Sequence, residues 1–163
     1  MILELGLMLL PTFAIIFGFL DVGFAIFTWN TLQNAAREGT RYAITMQSSC
    51  VTCSQTATIK TQTEQWALGF VTSTATSTTG VDTPYIQVDF YSPSSLTALT
   101  GATANEPGNV VEVSIRNYPY KWMFPFSGTM ASPFYATPSS NLKLNVYSAD
   151  VLGGTGLTAR PPI

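Results

Sequence analysis

Between Leu5 and Phe27 the chain carries one charge, Asp21, and this apolar run passes into TLQNAAREGTRYAITM (31–46) with no Gly-Pro or Ser-rich break. As a helix, about 23 residues at ~1.5 Å each reach ~35 Å, enough to cross a hydrocarbon core of ~30 Å. The run exceeds the ~7–15 residues of a secretory signal's apolar region, and no small-residue cleavage site follows it, so it reads as retained. The bland alternative is a buried core helix. The run is apolar almost all round, however, and the rest of the chain is too small to enclose it. From Leu32 the pattern changes. Leu32, Ala35, Ala36, Tyr42, Ala43 and Met46, with Gly39 between, recur at helical spacing, while Gln33, Asn34, Arg37, Glu38 and Arg41 take the other face. One helix from Ile2 to about Gln47, ~70 Å long, is the expectation. Its first half is greasy and its second half amphipathic, carrying a head.

The greasy half holds features that a plain membrane anchor does not need. Glu4 sits in its apolar start and Asp21 about five turns on; a carboxylate at a bilayer centre costs up to ~3 kcal/mol. Pro11 removes one helical hydrogen bond and predicts a kink or local opening there. Gly6, Gly18 and Gly23 allow backbones to approach closely. Tolerated noise in a single-pass anchor is one reading. Helix-to-helix packing with carboxylates paired across subunits is the other, and the cost of unpaired burial favours it. No Lys or Arg precedes the run, and the sequence opens at Met1 on apolar residues. Membrane topology ordinarily puts basic residues there, so a basic leader removed by processing is expected.

Composition narrows the function. Charged residues are 10% of the 163, well below the ~25% of ordinary soluble chains. Net charge is −2 with the basic residues scattered, which leaves no footprint for nucleic acid. A surface so poor in charge suits a protein covered by its own copies; a neutral extracellular surface is the alternative. Histidine is absent, which removes the commonest general base and metal ligand together. Lys60, Lys121 and Lys143 remain as bases for a Ser-Lys pair, but none stands in a motif. Asp82, Asp89, Glu106, Glu112 and Asp150 form no calcium-loop pattern. The reading is not an enzyme, with no cofactor and no metal.

Residues 3–43, LELGLMLLPTFAIIFGFLDVGFAIFTWNTLQNAAREGTRYA, resemble the TadE-like family, pilin-like proteins of the tight-adherence (type IVc) pilus systems. Glu4, Pro11, Gly18, Asp21, Gly23 and Leu32 to Ala43 match the family pattern in order and spacing. Phe24 stands where that family commonly has Arg, and Glu4 lies one place earlier than in type IV-like pilins generally. The resemblance implies a leader cut by a prepilin peptidase, storage in the inner membrane, and extraction by assembly machinery into a filament. It assigns Met1 and Glu4 to an intersubunit pair of N-terminal amine and carboxylate. Pro11, Gly18, Asp21 and Gly23 join them as assembly positions. An ammonium and a carboxylate, each costly alone in an apolar core, become tolerable as a hydrogen-bonded pair.

Cys50 and Cys53 follow the helix in SSCVTCSQ. Two Cys without His cannot complete a zinc site, and the pair follows a helix rather than opening one, so a structural disulfide outside the cytoplasm is expected. Residues 54–75 read as a second helix with Ile59, Trp66, Leu68 and Phe70 as core contacts, followed by a low-complexity loop, 72–80. Alternating runs 85–92, 109–120 and 141–150 read as strands. The aromatic and Pro-rich stretch 118–135 folds over the sheet or meets another subunit. The chain therefore divides into an N-terminal helix, 1–47, and a head, 48–163. The class is α+β: a pilin-like long apolar helix followed by a small antiparallel sheet.

The leading functional expectation is a structural subunit of an extracellular filament used for adhesion, a homopolymer held in the inner membrane as precursor. A minor or initiating pseudopilin anchored in that membrane is its close rival. A membrane-tethered carbohydrate-binding module using the aromatic stretch, and then a membrane-bound hydrolase, stand behind both.

Overall fold

The computed structural model describes residues 2–45, 54–74, 84–101, 103–120 and 142–153. Helix α1 spans Ile2–Ile44, about 65 Å at its rise per residue. It runs unbroken through Pro11. At the next residue, the Thr12 hydroxyl donates one turn back to the Met8 carbonyl at 2.8 Å. α2 spans Gln55–Trp66. Four strands follow: β1 (Ile86–Tyr91), β2 (Ala98–Leu99), β3 (Val110–Tyr120) and β4 (Leu142–Val151). They form one antiparallel sheet in the order β2-β1-β3-β4. The three expected strands are present; β2 is added, too short to leave an alternating pattern in the sequence.

α1 and α2 cover one face of this sheet. Alternation along the strands sends Ile86 and Phe90 of β1, and Val111, Val113 and Ile115 of β3, toward the helices, all buried. The amphipathic half of α1 answers them with Leu32, Ala35, Ala36 and Ala43, each fully buried. At ~1.5–3 kcal/mol per large apolar side chain buried, this face fixes the head to the helix. Gly39 stands where α1 passes closest to α2 and the sheet. A Cβ added there would overlap the Thr63 hydroxyl oxygen and lie 3.2 Å from Val113 Cγ1. Two side chains of α1 also reach β4: Gln33 Nε2 donates to the Tyr147 carbonyl at 3.0 Å and Thr40 Oγ1 to the Ser148 carbonyl at 3.1 Å.

The second helix is shorter than the sequence reading, ending at Trp66 rather than near residue 75. Ala67 N–H closes onto the carbonyls of Thr63 and Glu64, and Leu68 (φ 51°) and Gly69 (φ 80°) then take left-handed backbone that a helix cannot continue. Ser73 N–H donates back to Glu64 at 3.0 Å, and hydrogen bonds from Ser73 hold that carboxyl below its ordinary range. Ile59 is in the core as expected, and Phe70 packs edge-on against Phe27 at 6.3 Å. Trp66 and Leu68 are not core residues; they are 50% and 69% exposed.

β3 contains an irregularity with a directional effect. Ile115 faces Val146 and Tyr118 faces Leu144, so β3 has one residue more than β4 between these pairs. Asn117 takes up the extra residue in left-handed backbone (φ 58°), its N–H donating to Asn145 Oδ1 at 2.7 Å. Before this bulge the odd residues 111, 113 and 115 face the helices. After it the even ones do, with Tyr118 packed on the core and Tyr120 buried.

On the opposite face, Asp89 and Glu112 are directly paired across β1 and β3. Arg116 lies over both, 2.8 Å from Glu112 and 3.4 Å from Asp89, with its Nε–H donating to Ser114 Oγ at 3.0 Å. Its guanidinium also stands 5.6 Å from the centre of the Tyr147 ring.

Candidate functional site

The first half of α1 has almost no cover among the described residues. From Gly6 to Leu20 every residue is exposed except the half-exposed Phe17, which stacks on Phe13 with ring centres 5.8 Å apart. Leu7 and Phe19 are 75% and 76% exposed. This helix is long and apolar enough to cross a membrane. A Cβ on Gly6, Gly18 or Gly23 would meet nothing within 4 Å among the described residues, so these positions give the helix a smooth outer surface. Glu4 lies exposed in the first turn. Met1, Cys50 and Cys53 lie outside the described residues, as do Lys121 and most of the aromatic stretch 118–135.

Asp21 is where helix and head first meet. It is 7% exposed although the helix on either side of it is open. The Tyr120 hydroxyl at the end of β3 shares its proton between Asp21 Oδ1, at 3.2 Å, and the Asp21 carbonyl, at 3.1 Å. Burial, reinforced by the nearby carboxylate, pushes the Tyr120 phenol up to about 12. The sequence singled out Asp21 as a costly carboxylate in need of a partner. The structure gives it one within its own chain. The sequence places Tyr120 at the end of a strand and in the aromatic stretch 118–135, with no sign of Asp21 as its partner, and the extra residue at Asn117 is what aims it at the helix.

Of the remaining acidic candidates, Asp82 lies outside the described residues and three others have local partners. Asp89 and Glu112 share Arg116, and Asp150 Oδ1 accepts the N–H of Val151. Lys60 is half-buried on α2 and Lys143 exposed on β4.

α1 thus performs two tasks in sequence: an open apolar rod as far as Leu20, and a head-binding face from Asp21 onward. Residues 1–41 match the family model of TadE-like proteins. The TadE-like segment covers both tasks, since it contains Glu4 and the open rod together with Asp21, Leu32, Ala35, Ala36 and Gly39. It stops short of the head, most of which lies beyond it. No curated protein and no solved structure matches the chain. Over residues 1–41 the chain is similar to TadE-like proteins.

Proposed function

We propose that this chain is a structural subunit of an extracellular Tad-type filament, polymerising through the apolar half of α1 for surface attachment. The single observation supporting this most is the open apolar rod, Gly6–Leu20, rigidly continuous with a helix half that is packed into a head. Such a surface needs cover in water. Its two natural covers are lipid before assembly and the same helix of neighbouring copies afterwards. In this reading Glu4 pairs with the N-terminal amine of a neighbour and sets axial register. Gly6, Gly18 and Gly23 let rods approach closely, and Cys50 and Cys53 close a disulfide at the turn into the head. A prepilin peptidase and assembly machinery in the inner membrane are the implied partners.

The second reading is a minor or initiating pseudopilin that remains in the inner membrane. It is favoured by the extent of the family match, which covers the helix but not the head. Negative-stain electron microscopy of native protein sheared from cells, in detergent-free buffer, separates the two. Uniform thin filaments containing this chain, lost in Glu4→Ala, are the expected result. A chain that stays with membranes and needs detergent overturns the filament reading and leaves the pseudopilin.

A further inference from the structure

An exposed aromatic group lies immediately above the open rod, on the head. Phe27, Trp29, Trp66 and Leu68 are 52%, 45%, 50% and 69% exposed, and all four line one open hollow of roughly 560 Å³ between α1 and the end of α2. The hollow is polar at its far end, where Asn34 and Arg37 border it. Below, Phe24 and Ile26, 48% and 55% exposed, join the aromatic group to the apolar rod without interruption.

We propose that this aromatic group is a membrane-surface contact, seated in the lipid headgroup layer while α1 crosses the bilayer. The inference rests on the reading of α1 as membrane-spanning before assembly, and adds to it where the head sits. Three pieces of geometry carry it. The uncharged run between Glu4 and Asp21, Leu5–Leu20, rises about 24 Å, and seating the Asp21 carboxylate with its Tyr120 partner at the membrane edge keeps that charge out of the ~30 Å hydrocarbon core. The Cα atoms of Phe27 and Trp29 are then ~9 and ~12 Å above Asp21. Helical side chains lean back about one turn toward the N-terminus, which brings the two rings to ~4–7 Å above that edge. A headgroup layer is ~5–8 Å deep on each side of a bilayer. Indole, an apolar ring with one polar N–H, favours this layer, and the Phe and Leu side chains beside it extend the apolar side. α2 delivers Trp66 and Leu68 to the same level because Phe70, just beyond them, packs on Phe27.

The test uses the full chain in phosphatidylethanolamine–phosphatidylglycerol vesicles carrying a spin label on the headgroup or near the acyl terminus. Trp29 is isolated with W66F and W122F, and Trp66 with W29F and W122F. Fluorescence of each should be quenched at least about twofold more by the headgroup label than by the acyl-terminal one, with weak quenching by aqueous iodide. A control reporter, F13W on the all-Phe background, should respond to the acyl-terminal label. If it does not, the membrane-spanning reading itself fails. If it does, while Trp29 and Trp66 respond to iodide and not to lipid labels, the inference fails alone. Shielding of both Trp residues from iodide and lipid labels alike also overturns it, and assigns the group to contact between copies. Leu68→Asn provides a second measure. Asn suits left-handed backbone at least as well as Leu, so the fold is retained while headgroup quenching of Trp66 falls.

Discussion

The Tyr120 hydroxyl contacts Asp21 across 99 positions of sequence, joining the last residue of β3 to the middle of α1. It fixes where the head begins along the helix. Replacing Tyr120 by Phe removes the phenolic proton and leaves the buried Asp21 carboxylate with one donor fewer. A loss of ~1–3 kcal/mol is expected in denaturant unfolding of the detergent-solubilised chain. Combining it with Asp21→Asn in a double-mutant cycle should give a coupling of ~0.5–3 kcal/mol, whereas additive losses would show that the contact contributes no pairwise energy.

The same contact predicts alkaline sensitivity. The Tyr120 phenol is raised to about 12, and burial raises Tyr118 as well. Both are groups whose folded value lies above the unfolded one. Their contribution is therefore complete below the ordinary tyrosine value near 10 and is lost as pH rises through the folded values. Melting temperature should decline between about pH 10 and 12, less steeply in Tyr120→Phe. An equal decline in both proteins would detach the effect from Tyr120.

Gly39→Ala tests the crossing of α1 over α2. The added methyl overlaps the Thr63 hydroxyl, and overpacking of this kind costs ~1–3 kcal/mol, offset by up to ~1 kcal/mol from better helix propensity. Thr63→Ala removes the obstructing atom, so the double variant should recover much of the loss. Failure of that rescue in thermal melts would place the strain elsewhere.

Arg116 holds two carboxylates that the sheet register sets side by side. Arg116→Leu leaves Asp89 and Glu112 facing each other, with an expected cost of ~1 kcal/mol near neutral pH. The deficit should shrink when the carboxylates are protonated in acid. A deficit independent of pH would mean that the loss is one of packing over Tyr147.

Asn117 is predicted to be a position of conformation more than chemistry. Gly should be tolerated within a few tenths of a kcal/mol, because the bond to Asn145 comes from the backbone and Gly accepts positive φ. Val should cost ~1–2 kcal/mol. Deleting the residue should turn Tyr118 and Tyr120 away from the helix, read as loss of the late-titrating tyrosine in alkaline absorbance.

The parts of this fold that follow a period were legible in the sequence. Leu32, Ala35, Ala36, Gly39 and Ala43 repeat at helical spacing, and the strands alternate because one face of the sheet is buried. The end of α2 was misjudged because apolar residues seemed to continue the pattern. Gly69 after Leu68 was the available stop signal, and it left Trp66 and Leu68 outside the core. Asp21 was recognised as needing a partner, but nothing local indicates Tyr120. Reading β3 as regular alternation, without the extra residue at Asn117, turns Tyr120 to the wrong face. The match to TadE-like proteins ends at residue 41, so the head had to be read from its own residues.

The donors that α1 extends to β4 have a further consequence for misassembly. Among the described residues, β4 is the longer of the sheet's two border strands, and β2, the other, has two residues. Gln33 and Thr40 donate to the successive carbonyls of Tyr147 and Ser148, one of which points away from β3 at the middle of that long border. A stray strand seeking to dock there meets a backbone already engaged, while β2 is too short to template one. Amyloid-like stacking of heads is thereby discouraged, even at the high local concentrations of a crowded membrane or fibre. In the proposed filament, association is left to the rod, where geometry limits the ways copies can meet.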